Sequence, residues 1–153
     1  MTPAPDLDRG AFAVVSVLPT RWADNDHYGH LNNARYFEYL DTAVNSWLLG
    51  VLGRDIRDEP SIALVASVGC EFYADTSFPD VLEIGLAMER VGRSSLTYRI
   101  AVFRQGSPQL RALGRYVHVY VDRTTRRPAP VPPEIRAAAQ ALPVLPARPG
   151  DPA

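Results

Sequence analysis

A change of hydrophobic period in the first half of the chain most restricts the folds that this sequence can adopt. Between Tyr36 and Val51, apolar residues recur at spacings of three and four, which predicts one helix of about five turns ending near Gly50 or Gly53. From Leu64 to Ala74 the residues alternate strictly between two faces, which predicts a long strand. The chain must therefore combine a long helix with a sheet.

Weaker signals place further elements around these two. We expect an N-terminal strand at 12–18, three more strands at 82–89, 96–102 and 113–121, and a short helix at 134–142 that begins after two prolines. Turn residues between the last four strands predict an antiparallel meander. The layout indicates an α+β domain in which one helix covers one sheet.

Length and composition favour a single globular domain. The 153 residues suffice for one domain over 1–153, and 46% hydrophobic with 22% charged residues is typical of a chain that folds. We place the core at about 12–133. The ends, 1–10 and 143–153, are rich in Pro, Gly and Ala, and we predict that they are flexible.

Charge and residue usage exclude several classes of function. A net charge of -1 offers no basic surface for nucleic acid. All 16 basic residues are Arg, so Schiff-base chemistry and a P-loop lysine are excluded. The sequence shows no export signal and no apolar run of membrane-spanning length, so we expect no membrane partner. The lone Cys70 suits a cytoplasmic protein.

Polar and ionisable residues concentrate in the loop before the long helix. Six of them stand close together there, namely Asp24, Asp26, His27, His30, Asn32 and Asn33. A carboxylate beside a helix N-terminus faces free backbone N–H groups and the positive end of the helix dipole, which together suit acyl transfer. The same residue types also serve as helix caps and turn formers, so the pattern alone leaves both interpretations open.

The loop also carries a long motif. The run D-x-D-x-x-G-H-x-N-N-x-x-Y-x-x-Y, from Asp24 to Tyr39, resembles the signature of hotdog-fold thioesterases similar to 4-hydroxybenzoyl-CoA thioesterase. The resemblance extends over roughly 12–133 and is greater to the broad-acyl branch than to the 4-hydroxybenzoyl enzyme itself. It implies a five-stranded antiparallel sheet wrapped around the long helix, with active sites between the subunits of a homodimer or homotetramer.

The resemblance also assigns roles to residues. It implies that Asp26 is the nucleophile or general base and that the backbone N–H near Asn33 polarises the thioester carbonyl. The substrate would be an acyl thioester of coenzyme A or acyl carrier protein, and no cofactor or metal would be needed. We expect the substrate to be bound by His30, Asn32, Tyr36, Arg93, Ser94 and Ser95.

Several alternatives remain open at this point. A related branch places the catalytic acid on the central helix, where Glu38 and Asp41 stand. Asp24, Asp26 and His30 have ligand types that suit a metal ion. A hotdog hydratase or dehydratase, and an acyl-binding protein without activity, are further possibilities. Besides Arg93, the coenzyme A phosphates could be met by Arg115, Arg126 and Arg127.

Overall fold

The computed structural model describes residues 3–152, which form two helices and five strands. The helices are α1 (Asn33–Leu52) and α2 (Pro133–Gln140), and the strands are β1 (Val14–Pro19), β2 (Ser61–Phe72), β3 (Val81–Val91), β4 (Ser95–Arg104) and β5 (Leu110–Asp122). All five strands pair antiparallel in one sheet, in the order β1-β3-β4-β5-β2. The predicted five-stranded antiparallel hotdog sheet with one long helix is confirmed.

Helix α1 begins and ends where its sequence predicts. The Asn32 side chain accepts a hydrogen bond from Ala34 N at 2.9 Å, and Gly53 closes the helix in the left-handed region at φ 63°. The apolar stripe is buried against the sheet, with Leu40 and Val44 fully inaccessible to solvent. Leu40 lies so close to Gly114 of β5 that a Cβ there would be 2.6 Å from Leu40 Cδ1. The glycine therefore lets α1 pack directly on the sheet.

The predicted meander of the last four strands is wrong for β2. Strand β2 pairs with β5, from Ser61 opposite Asp122 to Phe72 opposite Ala112, while β3 pairs with β1 and β4. The segment 73–80 therefore crosses from one edge of the sheet to its middle. Local turn signals could not reveal this, because β2 pairs with β5 and β3 pairs with β1, and both of these partners lie far away in the chain.

Both terminal segments cover the sheet face opposite α1. Phe12 packs on Gly85 within a second apolar cluster, which Leu7 and Leu145 extend. At the C-terminal end, Met88 N donates to Pro143 O at 2.8 Å, and Asp151 pairs with Arg99, which is 2% exposed. The terminal segments, which were predicted to be flexible, thus make defined contacts with the sheet.

No helix within residues 3–152 is long and apolar enough to cross a membrane.

Candidate active site

The loop that carries Asp26 folds into a closed turn. Asp26 N donates to His30 O at 2.9 Å, and Gly29, at φ 80°, donates its N–H to Asp26 O at 3.1 Å. One carboxylate oxygen of Asp26 accepts a hydrogen bond from Tyr28 N at 2.8 Å. The half-buried carboxylate is therefore held in one orientation by its own loop, and its second oxygen has no hydrogen-bond partner among residues 3–152.

Asp24 anchors this loop to the protein. Its carboxylate is completely buried and accepts hydrogen bonds from the Arg21 backbone and guanidinium, between 2.8 and 3.1 Å, and from the Tyr39 hydroxyl. Burial by itself would raise the pKa of Asp24, but the Tyr39 and Arg21 hydrogen bonds outweigh it and lower the pKa. Asp24 is thus ionised, and its hydrogen bonds hold the loop in place.

The first turn of α1 presents a free donor beside this loop. Asn32 N donates to Asp24 O at 2.9 Å, and Leu31 N donates to Thr76 O at 2.6 Å. Ala34 N is occupied by the Asn32 side chain. Within residues 3–152, no acceptor is found for the N–H of Asn33. This N–H, at the positive end of a 20-residue helix, can therefore donate to a developing oxyanion.

Asp26 and the N-terminus of α1 face a common cavity of about 560 Å³. This volume lies within the range of small-molecule sites. Four predicted site residues line it, namely Asp26, His30, Asn33 and Tyr36, together with Tyr28, Leu31, Phe72, Tyr73, Ala74, Asp75 and Thr76. These four motif residues therefore share one cavity.

The other predicted substrate-binding residues lie outside this cavity. Asn32 is exposed and caps the helix. The turn of Arg93, Ser94 and Ser95 lies at the opposite end of the sheet, since Ser95 pairs with Val119, whereas Phe72, which lines the cavity, pairs with Ala112. Within one protomer, the structure does not bring this turn and Asp26 together.

Sequence reasoning missed the wall contributed by the end of β2. Phe72 stacks edge-to-face with Tyr36 at a ring-centroid distance of 5.0 Å, and Asp75 Oδ2 lies 3.7 Å from His30 Nδ1. Arg111 Nη1 donates to Asp75 O at 2.8 Å and supports this wall. No local pattern assigned these residues to a site, because they approach the N-terminus of α1 only in the folded chain, where β2 pairs with β5 and Leu31 N bonds Thr76 O.

The structure also shows where the residues of the alternative interpretations lie. Glu38 lies half-exposed beside Arg21 and Arg35, with the nearest contact 2.7 Å to Arg35 Nη1, and does not line the cavity. Asp41 accepts a hydrogen bond from the Tyr116 hydroxyl. Nowhere between residues 3 and 152 are three His, Cys, Asp or Glu residues placed to hold a metal ion. Asp24, moreover, is already occupied by Arg21 and Tyr39.

The arginines considered for coenzyme A also lie outside the cavity. Arg115 is paired with Glu89 at 2.9 Å. Arg126 and Arg127 are exposed in the segment that follows β5.

Comparisons with known proteins agree with this fold. The family model of the thioesterase-like superfamily matches residues 20–139. The structure of the PA5185 protein from Pseudomonas aeruginosa is similar, with 40% identity, a TM-score of 0.87, and coverage of 94% of this chain and 100% of that one. The PA2801 protein from the same organism has 31% identity and a TM-score of 0.77, with coverage of 83% and 98%.

A 1,4-dihydroxy-2-naphthoyl-CoA thioesterase from Synechocystis shares the fold. It has 18% identity and a TM-score of 0.76, with coverage of 84% of this chain and 96% of that one. A search of curated proteins finds no match.

Proposed function

Because the chain belongs to the thioesterase-like superfamily, we propose that it hydrolyses acyl-CoA thioesters at the Asp26 cavity. The observation that carries this proposal is that the Asp26 carboxylate and the unoccupied Asn33 N–H face one ligand-sized cavity. Hydrolysis of a thioester needs an attacking group and a donor for the oxyanion. The cavity offers both.

The residues suggest how the reaction proceeds. The free oxygen of Asp26 attacks the thioester carbon, or takes a proton from a water that attacks it. The negative charge that develops on the carbonyl oxygen is stabilised by the Asn33 N–H and the α1 dipole. Collapse of the intermediate releases the coenzyme A thiolate. If water attacks, the acyl group leaves directly as the free acid. If Asp26 attacks, the acyl-enzyme is hydrolysed by water to release the free acid.

We propose that the active unit is a homodimer paired along β2. This strand is 12 residues long, it is an edge of the sheet, and residues 64–69 are all exposed in the single chain. Three of its apolar side chains, Leu64, Val65 and Val68, are between 40% and 49% exposed. A long apolar edge strand favours pairing with a second copy.

A dimer of this kind accounts for the distant substrate-binding turn. In an antiparallel pairing of two β2 strands about a twofold axis, the start of the partner strand lies beside the end of this one. The partner's Arg93, Ser94 and Ser95 then approach the end of the sheet that carries Asp26. These residues contact the coenzyme A part of the substrate from the second subunit.

No metal or organic cofactor takes part in the proposed reaction, because Asp26 and the helix N-terminus supply both required groups. Dialysis against a chelator should therefore leave the rate of hydrolysis unchanged.

A carrier-protein thioester remains a second form of the substrate. The single free cysteine, Cys70, accords with the cytoplasmic location that we propose.

Hydrolysis assays on a panel of acyl-CoA thioesters test the proposal directly. Released thiol is measured for acyl groups that differ in length and polarity, and the same panel is run with carrier-protein thioesters. We expect turnover that depends on Asp26. Tight binding of acyl-CoA without thiol release would instead identify an acyl-binding protein.

A further inference from the structure

If Asp26 attacks the thioester, neither of its oxygens can serve as the base for the second step. One oxygen accepts the hydrogen bond from Tyr28 N at 2.8 Å, and the other is the one that can attack. Once an acyl-enzyme has formed, the attacking oxygen is bonded to the acyl carbon. The water that releases the acyl group must then give its proton to a different side chain.

Five other ionisable side chains line the cavity, and His30 is the one best suited to take this proton. Three of them are Tyr28, Tyr36 and Tyr73. A phenol titrates at about 10, and burial raises the pKa of Tyr36 and Tyr73, so these residues keep their protons near neutral pH. The other two are His30 and Asp75. Imidazole takes up and releases protons near neutral pH, as a general base must.

The fold holds His30 next to Asp26. Asp26 N donates to His30 O at 2.9 Å, and the flanking residues Asn25 and Leu31 form an antiparallel bridge. These contacts place the two residues side by side across a tight turn, and both side chains line the cavity. The His30 side chain is 48% exposed, so water has access to its ring.

Asp75 lies beside the His30 ring. Its Oδ2 is 3.7 Å from His30 Nδ1, while Arg111 Nη1 holds the Asp75 carbonyl at 2.8 Å. A carboxylate beside Nδ1 favours the tautomer with the proton on that nitrogen and leaves Nε2 as the acceptor. It also attracts the imidazolium that forms when Nε2 takes a proton. The contact therefore suits a ring that gains a proton during the reaction.

We propose that His30 is the general base for hydrolysis of an acyl-Asp26 intermediate, with Asp75 as its positioning residue. This inference rests on the proposed function and selects the route in which Asp26 attacks. In the first step an Asp26 oxygen bonds to the acyl carbon, and the C–S bond breaks to release the thiolate. In the second step water bonds to the acyl carbon, its proton passes to His30 Nε2, and the bond to Asp26 breaks to restore the carboxylate. His30 then gives the proton to the thiolate.

Replacement of His30 should trap the acyl-enzyme. The full-length His30→Gln protein is mixed with an acyl-CoA that the wild type hydrolyses, and both thiol release and the intact mass of the protein are followed over time. We expect a burst of about one thiol per active site, a gain in protein mass equal to the acyl group, and steady-state turnover at least about 100-fold slower. His27→Gln is the matched control, because His27 lies in the same loop but does not line the cavity, and it should turn over normally.

Variants of Asp75 test the positioning role. Asp75→Asn should slow the steady state but leave the rate of the burst as in His30→Gln, because Asp75 acts on the second step alone, and Asp75→Glu should restore turnover. A slower burst in Asp75→Asn would overturn the positioning role. A His30→Gln protein that turns over at a near wild-type rate, or that is slow without a burst and without an acylated protein, would overturn the role of His30. Failure of the proposed function is distinguishable, since the wild type would then release no thiol, and both proposals would be overturned.

Discussion

At the scale of single residues, the site depends on two aspartates with different roles in one short loop. Asp24 is buried and fully hydrogen-bonded, whereas Asp26 is half-buried, keeps a free oxygen and faces the cavity. The motif contains both aspartates, but only the contacts of each carboxylate distinguish the anchor of the loop from the candidate for chemistry. Ionisable residues that are left accessible in a cavity are the candidates for chemistry.

Asp26→Asn should therefore remove most of the activity. The substitution keeps the shape and the acceptor for Tyr28 N but removes the charge, so we expect kcat to fall at least about 100-fold, corresponding to a barrier higher by about 3 kcal/mol. KM should stay similar or decrease, because a carboxylate near an anionic substrate is lost. Steady-state kinetics on the acyl-CoA panel provide the measurement.

Glu38→Gln is the matched control for this change. Glu38 lies on the helix outside the cavity and pairs with two arginines, so its variant should retain near wild-type turnover. An active Asp26→Asn protein beside an inactive Glu38→Gln protein would transfer the catalytic role to the helix acid.

The buried His118 predicts a pH dependence of stability. It is 2% exposed between Tyr98 and Tyr116, and burial lowers its pKa from 6.5 to about 4. The unfolded chain thus takes up a proton at a higher pH than the folded protein does. The contribution of neutral His118 to stability is present above pH 6.5 and is lost as the pH falls toward 4.

Between pH 7 and pH 5 this loss should amount to about 2 kcal/mol. Urea unfolding of the wild type and of His118→Phe at both pH values checks the prediction, since the variant keeps a ring but cannot titrate. The wild type should lose more stability than the variant over this interval. Equal losses in the two proteins would mean that His118 does not remain neutral in the fold.

At the scale of elements, hydrophobic periods predicted which segments are helix and strand, but not which strands are neighbours. The stripe of α1 and the alternation of β2 are local, so the sequence reveals them. The pairing of β2 with β5 is not local, because it joins residues far apart in the chain, from Ser61 with Asp122 to Phe72 with Ala112. The same pairing brings Phe72 and Thr76 to the site, which is why the sequence revealed one wall of the cavity and missed the other.

Replacing glycine by alanine should have opposite effects on stability at Gly114 and at Gly50. At Gly114 a Cβ would meet the buried Leu40, so Gly114→Ala should destabilise the protein by about 1–3 kcal/mol. Gly50 lies within α1 with nothing near its Cβ position, so Gly50→Ala should stabilise it by about 0.5–1 kcal/mol. Thermal unfolding measures the stability of both variants. If both substitutions destabilised the protein equally, the close contact between Gly114 and Leu40 would not explain the effect at Gly114.

At the scale of the whole molecule, the two edges of the sheet differ in what they expose. Strand β1 is six residues long, while β2 is twice that length and carries the apolar side chains Val65 and Val68. Short edge strands are easily left unpaired, and long apolar ones are not. The fold therefore offers one edge for a second copy.

Charges on that edge should separate the subunits. Val65→Asp with Val68→Asp places two negative charges from each subunit along the paired edge of a β2 dimer, so light scattering at micromolar concentration should show a monomer. The monomer should also hydrolyse acyl-CoA poorly, because it lacks the turn that we propose the partner subunit contributes to the site. Val17→Asp is the control on the other edge, where the side chain is 54% exposed, and it should stay dimeric. A fully active monomer would contradict a site shared between subunits.

The paths of the two chain ends have a practical consequence for attaching the protein to a surface or a fluorescent reporter. Arg148, near the C-terminus, hydrogen-bonds the hydroxyl of Tyr73, and Tyr73 lines the cavity. The N-terminal segment contacts the sheet through Arg9, which bonds Glu83 at 2.9 Å, and Phe12, neither of which lines the cavity. A label attached at the N-terminus should thus leave ligand affinity unaltered. A label attached at the C-terminus should alter it, because Arg148 contacts a residue of the cavity wall.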